Sequence, residues 1–454
     1  MRRTQMLVLA GLAAGALAST AFAQPSAPAP AAPATAPSAA PVDSRAVVAE
    51  VRRIIAERYV LPERRRVLDA ALAASLAAGR YNTSDPALLA ARINEDLERA
   101  GHDRHLNFNF NPRQAAMMAA GRGTGPGTGP AQPSPAAFEA RMRAANYGVS
   151  ELRNLPGNVR YLAYDGFMWT GPESAAALDT AMRFLAGGDA VIIDLRRNGG
   201  GSPEAVQYMI SHFLPAGRPL VTFYMNGRPE PEGLSTLSEL PAARMVGKPL
   251  YVLISGGTGS AAEEFTGHVG GYHLGELVGE RTSGAGFRNE VVPVAGQFLL
   301  SVSVGRAVLA STGRDWEAVG HAPTIPTSIE AALDTAHVLA LRRIAAGAPE
   351  ADRGRLAAMA DGIEARGQGR APALPLAAYA GSYGERVVSV DAGRLYLKRG
   401  ARARAALIAL GGNVFTLESD PATRLTFQVD GASAASFEVG AAGGPSQGHF
   451  DRTG

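Results

Sequence analysis

The spacing of apolar residues first follows a helical period, then alternates between strands and helices, and finally breaks into short strands. Helical spacing begins after Ser44, a candidate N-cap, and continues through the apolar residues of 47–55. Two more helices are predicted near 62–79 and 86–100, and the alternating sequence LNFNFN (106–111) predicts a strand. Residues 44–113 are therefore predicted to form a small helical domain that ends in a strand.

Residues 138–345 alternate between apolar strands and amphipathic helices. Strands are predicted at 159–164, 190–195, 219–224, 249–255, 276–279 and 297–304, and helices at 173–186, 203–214, 260–270 and 329–345. This alternation favours an α/β layered domain with substantial parallel pairing.

The remaining segments differ from these in composition and in the pattern of apolar residues. Residues 24–43 are rich in Ala and Pro, and residues 114–137 are rich in Gly and Pro, so both predict flexible linkers. Residues 346–373 predict a helical connector, and the short alternating runs of 374–454 predict a separate small β domain.

The first 23 residues have the pattern of a secretory signal peptide. Arg2 and Arg3 supply the positive start, Leu7 to Leu17 the apolar stretch, and Ala21-Phe-Ala23 a small-residue cleavage site. We expect an exported protein, periplasmic or secreted after cleavage near Ala23, by either the general or the twin-arginine route.

Composition excludes several function classes. The chain has no cysteine, which removes disulfides, thiol catalysis and cysteine-bound metals. Its net charge of +3 falls to +1 without residues 1–23, which contain two arginines and no acid, so nothing suggests a nucleic-acid partner. No segment after the signal is apolar enough to span a membrane. Lys248 and Lys398 are the only lysines.

The sequence LISGGTGSAAEEF (253–265) carries the strongest local signal. An apolar strand enters a glycine-rich turn, and a helix begins at Ser260, where free N–H groups favour developing negative charge. The same residues also fit a simple capping box between Ser260 and Glu263. Glu263 and Glu264 are predicted to cap the helix and face solvent.

A second glycine-rich turn lies in AVIIDLRRNGGGSPEAV (190–206). Three glycines follow Asn198, and a helix capped by Ser202 follows them. Such a turn suits an oxyanion hole, a phosphate cradle or a simple tight turn, but the Lys that a phosphate loop places after its glycines is missing.

Together these segments resemble the tail-specific (C-terminal processing) serine peptidase family, in the branch of the tricorn protease core and the interphotoreceptor retinoid-binding modules. Three further matches occur in the family's order: NYGVSELRNLPGNVRYLAYDGF (146–167), VGERTSGAG (278–286) and STGRDWEAVGHAPTI (311–325). The resemblance covers about residues 44–345 and implies a ClpP/crotonase-like α/β core with Ser260 as nucleophile. The interval 112–145 is too short for the PDZ domain that many relatives insert.

The resemblance also implies which base activates Ser260. Many members have a lysine in a T-x-G-K-G segment, where this chain has Ala285, and neither of its lysines is suitably placed. The tricorn-like branch instead implies His105, in GHDRHLNFNF (101–110), and Glu317, in DWEAVG (315–320). The implied oxyanion donors are the N–H groups of Ala261 and of Gly199 or Gly200.

Alternatives remain at each of these positions. His102 is close enough to be the base, and Glu317 is also explained as an exposed acid. His102, Asp103 and His105 imitate a metal site but lack a supporting motif, so no metal and no cofactor are predicted.

The sequence thus predicts a serine-type peptidase that hydrolyses unfolded or small polypeptides outside the cytoplasm. The alternatives are a non-catalytic module that binds an apolar ligand, as in the retinoid-binding relatives, and an esterase with the same machinery. An intact Ser/His/Glu set favours the enzyme over the binding module.

Overall fold

The structure is a computed structural model that describes residues 42–120, 135–442 and 444–454. The predicted signal peptide (1–23) and most of both predicted linkers lie outside the described residues. The second linker is shorter than the predicted range 114–137, because helices occupy both of its ends, at Pro112–Ala120 and Pro135–Ala144. No helix in the described ranges is long and apolar enough to cross a membrane.

The N-terminal region is helical, as the apolar spacing predicts. Its elements are α1 (Ser44–Arg58), α2 (Pro62–Ala77), α3 (Pro86–Gly101), β1 (Asn107–Phe110), α4 (Pro112–Ala120) and α5 (Pro135–Ala144). The N-cap of α1 is Asp43 rather than Ser44, because the Asp43 carboxylate accepts the N–H groups of Arg45 and Ala46 at 3.0 and 3.2 Å.

The core contains every strand and helix that the sequence predicts between 138 and 345, with ends that differ by a few residues. Its strands are β2 (Val149–Leu155), β3 (Val159–Tyr164), β4 (Ala190–Asp194), β5 (Pro219–Met225), β6 (Glu232–Ser235), β7 (Leu250–Ile254), β8 (Glu276–Gly279), β9 (Phe287–Val294), β10 (Phe298–Leu309) and β11 (Ile325–Pro326). Its helices are α6 (Pro172–Ala186), α7 (Pro203–Ile210), α8 (Ala261–Gly271) and α9 (Ala332–Gly347). The sequence pattern missed β2, β6, β9 and β11. In β2 the five residues between its buried ends are exposed, which removes the alternation that reveals a strand.

The main sheet of the core has the strand order β11-β8-β7-β4-β3-β2. Its strands run parallel except for β2, which is antiparallel to β3 at the edge. Strands β4 and β7 are neighbours, so the two glycine-rich turns that follow them meet at the same edge of the sheet. Ligand sites in open α/β sheets form at this carboxyl edge.

Both faces of this sheet are covered by helices, which explains why its central strands are almost uniformly apolar. In β4, Val191 and Ile193 pack with the cluster that includes α6, α7 and α8. Ala190 and Ile192 pack on the other face, with α9 and with α10 (Glu350–Gln368). The buried central strands β4 and β7 therefore fix where the loops that follow them lie.

A second sheet joins the N-terminal region to the core. Strand β10 pairs with β9 along one edge and with β1 and β5 along the other, and β6 extends β5. Phe108 of β1 stacks on Phe298 of β10 with ring centroids 5.1 Å apart. The segment that carries His105 is thus anchored to the core by a strand.

The C-terminal region is an eight-stranded antiparallel, barrel-like sheet in sequential order, as the alternating runs predict. Its strands are β12 (Gly381–Tyr383), β13 (Arg386–Asp391), β14 (Arg394–Arg399), β15 (Ala405–Gly411), β16 (Val414–Leu417), β17 (Asp420–Asp430), β18 (Ser433–Ala441) and β19 (Ser446–Asp451). The chain beyond β19 returns to β12, where Ser382 exchanges backbone hydrogen bonds with Thr453 and Gly454. The predicted helical connector to this sheet is α10.

Candidate active site

Buried polar side chains tie together the two turns that follow β4 and β7. The Thr258 hydroxyl donates to the Leu195 carbonyl at 2.8 Å, and the Gly259 N–H donates to the Asn198 carbonyl at 3.0 Å. The Asn198 side chain is completely buried and donates to the Tyr164 carbonyl at 2.8 Å. The turn that carries Ser260 is therefore fixed against the glycine turn.

Ser260 is the N-cap of α8 and has an unusual backbone. Its φ is 50° and its ψ is −119°. A non-glycine residue in such a conformation is strained by about 1–3 kcal/mol, and strain of this kind concentrates at functional sites. The turn presents the side chain at the positive end of α8, where developing negative charge is stabilised.

The predicted oxyanion donors differ in their availability. Within the described chain, the N–H groups of Ala261 and Gly199 have no hydrogen-bond partner, whereas the Gly200 N–H donates to the Asn198 side chain at 2.9 Å. Gly200 has a φ of 116°, and a Cβ there would lie 2.7 Å from the Cβ of Ser260. Gly200 thus permits the close approach of the two turns, while its N–H group is occupied.

Glu263 is completely buried, contrary to the prediction that it faces solvent. Its carboxylate accepts five hydrogen bonds, from the Ser260 N–H (3.0 Å), the Thr282 hydroxyl (2.6 Å), the Ser283 hydroxyl (3.1 Å), the Gly284 N–H (2.7 Å) and the Ala285 N–H (2.8 Å). Glu263 does reach back to the backbone of the N-cap, as in a capping box. It also holds residues 282–285 against the nucleophile turn.

Glu264 is likewise buried rather than exposed, at 4% of its full accessibility. Its Oε1 atom lies 3.6 Å from the Nε2 atom of His268, which is too long for a hydrogen bond. Burial raises the pKa of Glu264. The sequence does not predict this burial, because two consecutive glutamates at the start of a helix are typical of an exposed first turn.

Glu317 is buried next to residues 285–287. Its carboxylate accepts the N–H groups of Gly286 at 2.6 Å, Phe287 at 2.9 Å and Arg104 at 3.3 Å. Burial, followed by the charge of Asp103, raises the pKa of Glu317 to about 7. The hydrogen bond from Arg104 links Glu317 directly to the N-terminal segment that carries His105.

His105 lies beside two carboxylates. A nitrogen of its ring and carboxylate oxygens of Asp103 and Glu317 all lie within 4.8 Å of one another. Burial lowers the pKa of His105, while the charges of Asp103 and Glu263 oppose that shift. A neutral imidazole of this kind is suited to accept a proton. Imidazole and carboxylates also bind zinc, but we interpret this group as one for proton transfer.

Asp103 positions the His105 backbone. Its Oδ1 atom accepts the N–H groups of His105 at 2.8 Å and Leu106 at 3.2 Å, and its buried Oδ2 atom has no partner in the described residues. His102 is exposed and is not in the group around Glu317. His105 therefore stays the better candidate for the base.

Neither lysine is placed to activate Ser260. Lys248 lies just before β7, at the opposite end of that strand from Ser260, and its ammonium group donates to the carbonyls of Ala186 and Gly188. Lys398 lies on β14 of the C-terminal sheet. Ala285, at the position where many relatives have lysine, is buried and donates its N–H to Glu263.

Sequence reasoning missed several residues that build this site. Asn198, Glu263 and Asp103 hold the nucleophile turn and the histidine segment in place. The only signals in the sequence were their positions inside the motif segments, since most of their partners are backbone groups that carry no sequence signature.

A serine on a strained strand-to-helix turn, beside backbone N–H groups that have no partner among the described residues, is the arrangement that a serine hydrolase on an α/β scaffold requires. Two family models match this chain: "Peptidase family S41" at residues 158–327, and "N-terminal domain of Peptidase_S41 in eukaryotic IRBP" at residues 42–145. The chain thus contains a peptidase family S41 domain together with the N-terminal domain of that family, and it is a serine-type peptidase.

Several solved structures are similar to this chain. The photosystem II D1 C-terminal processing protease is 18% identical, with a TM-score of 0.41, over 64% of this chain and 94% of that one. Mature CPAF complexed with lactacystin is 13% identical, with a TM-score of 0.45, over 66% and 97%. A lipoprotein from Streptococcus agalactiae is 13% identical, with a TM-score of 0.41, over 64% and 94%.

Proposed function

We propose that this peptidase hydrolyses peptide bonds of unfolded or small polypeptides outside the cytoplasm, by a Ser/His/Glu mechanism. Ser260 acts as the nucleophile, His105 as the general base and Glu317 as the carboxylate that orients the imidazole. The observation that carries the proposal is the convergence of three separate chain segments on residues 282–287. Glu263 ties those residues to the Ser260 N–H, and Glu317 ties them to the Arg104 N–H, next to His105.

The chemistry follows the general scheme of serine acyl transfer. The Ser260 hydroxyl attacks the carbonyl carbon and passes its proton to His105, while Glu317 stabilises the imidazolium. The oxyanion accepts hydrogen bonds from the N–H groups of Ala261 and Gly199. His105 then protonates the leaving amine, and water releases the acyl group by the same steps in reverse.

The substrate class is inferred from the size of the cavity beside Ser260. Its volume is about 180 Å³, well below the roughly 300–1,000 Å³ of pockets for drug-sized ligands. A single side chain fits such a cavity, which favours an extended polypeptide over a bulky apolar ligand. The location outside the cytoplasm is inferred from the signal pattern of residues 1–23.

The test is turnover of a denatured protein by the wild type and by Ser260→Ala. We expect hydrolysis to disappear in Ser260→Ala while its circular dichroism spectrum is unchanged, because the covalent route is lost and the fold is not. Ser446→Ala, at an exposed serine of β19, and a protein with Lys248→Arg and Lys398→Arg should retain wild-type turnover. Undiminished hydrolysis by Ser260→Ala refutes the nucleophile, and a large loss in the lysine double variant restores a Ser/Lys mechanism.

A further inference from the structure

The cavity beside Ser260 is lined by residues of α8 and of the second sheet. Ser260 and Ala261 line it together with the apolar side chains of Phe223, Phe287 and Trp316. The residue whose carbonyl is attacked must place its own side chain within a few ångströms of Ser260. This cavity is therefore the available site for the side chain on the acyl side of the scissile bond.

Glu264 is a polar residue in the lining of this cavity. It lies in the first turn of α8, and both it and Ser260 line the cavity. Glu264 borders the cavity and is more than nine-tenths buried, and neither of its carboxyl oxygens has a hydrogen-bond partner among the described residues. The buried Oε1 atom faces His268 at 3.6 Å, which leaves Oε2 for a donor in the cavity. Buried polar groups are almost always satisfied in proteins, so an unpaired carboxyl at a substrate cavity points to a partner that arrives with the substrate.

The charges around Glu264 come from three elements. The Nε2 atom of His268 of α8 lies 3.6 Å from the Glu264 Oε1 atom, Arg288 of β9 is exposed and lines the cavity, and Glu204 of α7 is exposed. His268 and Arg288 oppose the effect of burial on the pKa of Glu264, and Glu204 adds to it. In either protonation state the Glu264 carboxyl offers at least one acceptor oxygen to a donor in the cavity.

We propose that this cavity selects substrates whose residue before the scissile bond ends in an N–H donor, as lysine and glutamine do, and that Glu264 determines this preference. The inference rests on the proposed hydrolysis at Ser260. An apolar side chain of equal length would leave the buried carboxyl unpaired, and sites built around a hydrogen bond discriminate strongly against such analogues. An acidic side chain would bring a second carboxylate to the same place.

The test uses peptides that differ only in this residue: lysine, glutamine, methionine, glutamate and alanine. Methionine matches glutamine in length without a donor, and alanine is too short to reach Glu264, so it gives the reference rate. In the wild type we expect kcat/KM for lysine and glutamine to exceed that for methionine by at least about tenfold. Glu264→Leu should reverse this order while hydrolysis of the alanine peptide continues.

Two further variants keep the test decisive. Glu264→Gln conserves the shape of the side chain and should weaken the preference for lysine, whereas Glu204→Gln should leave all ratios unchanged. The same peptides are bound to Ser260→Ala protein, in which the order of Kd values should match the order of kcat/KM. If the protein prefers the lysine and glutamine peptides in binding but wild type hydrolyses none of them, the proposed hydrolysis is contradicted while the assignment of the cavity to this side chain is supported. Equal ratios in wild type, Glu264→Gln and Glu264→Leu overturn the role of Glu264.

Discussion

At the scale of single residues, the site combines a strained serine with an unusual grouping of charges. His105 has two carboxylates beside it, Asp103 from its own loop and Glu317 from the core. The sequence motifs predicted Ser260, His105 and Glu317, and their catalytic roles stay predictions. Asp103 could not be singled out, because its effect depends on Glu317, which lies more than 200 positions away in the sequence.

We predict that Asp103→Asn moves the acid limb of the pH–rate profile to lower pH. The charge of Asp103 raises the pKa of both Glu317 and His105, and both groups must be deprotonated for activity, so removing that charge lowers both pKa values. Asparagine keeps an oxygen that can accept the N–H groups of His105 and Leu106. The measurement is kcat/KM from pH 5 to 9, and an unchanged or raised midpoint would contradict the prediction.

At the scale of elements, the predicted helices and strands of the core are confirmed because their apolar periods are long and regular. The segment 280–286, between β8 and β9, could not be predicted in this way. It has no regular structure before β9, and its shape depends on hydrogen bonds from its backbone to Glu263 and Glu317. Such contacts form only when the chain has folded. Neither the spacing of apolar residues nor the secondary-structure propensity of this segment predicts them.

Glu263→Gln should loosen this segment. A glutamine has one acceptor oxygen in place of two, so at least one backbone N–H that Glu263 now accepts is left unpaired, at a cost of roughly 1–3 kcal/mol. We expect urea unfolding to show this loss together with a fall in kcat. Glu280→Gln, at an exposed position of the same segment, is the control and should change neither quantity. Wild-type stability in Glu263→Gln would show that the carboxylate is not the anchor that its hydrogen bonds indicate.

At the scale of the whole molecule, the sequence predicted three regions but not how they join. The predicted boundary near residue 113 separates β1 from the core, whereas β1 pairs with β10 and becomes part of the core sheet. The alternating pattern of residues 106–111 reveals a strand but not its partner. The position of His105, just before β1, therefore depends on a pairing between segments that are distant in the chain.

Phe108→Ala is expected to damage both stability and catalysis. Phe108 is buried in β1 against Phe298, so its loss should cost about 3–5 kcal/mol and displace the nearby His105. Phe427→Ala removes an equally buried ring from the C-terminal sheet and is the matched control. At a temperature where both variants are folded, only Phe108→Ala should lower kcat/KM, by roughly tenfold to a hundredfold. Equal losses of activity in both variants would contradict this dependence on β1.

The most direct test of the account is to ask which serine reacts with a fluorophosphonate and what activates it. After brief exposure of the protein, mass spectrometry of its peptides should locate the adduct on Ser260. Labelling should be much slower in His105→Gln, because the base is lost, and should remain in the protein with Lys248→Arg and Lys398→Arg. An adduct on another serine, or undiminished labelling of Ser260 in His105→Gln, would contradict the proposed mechanism.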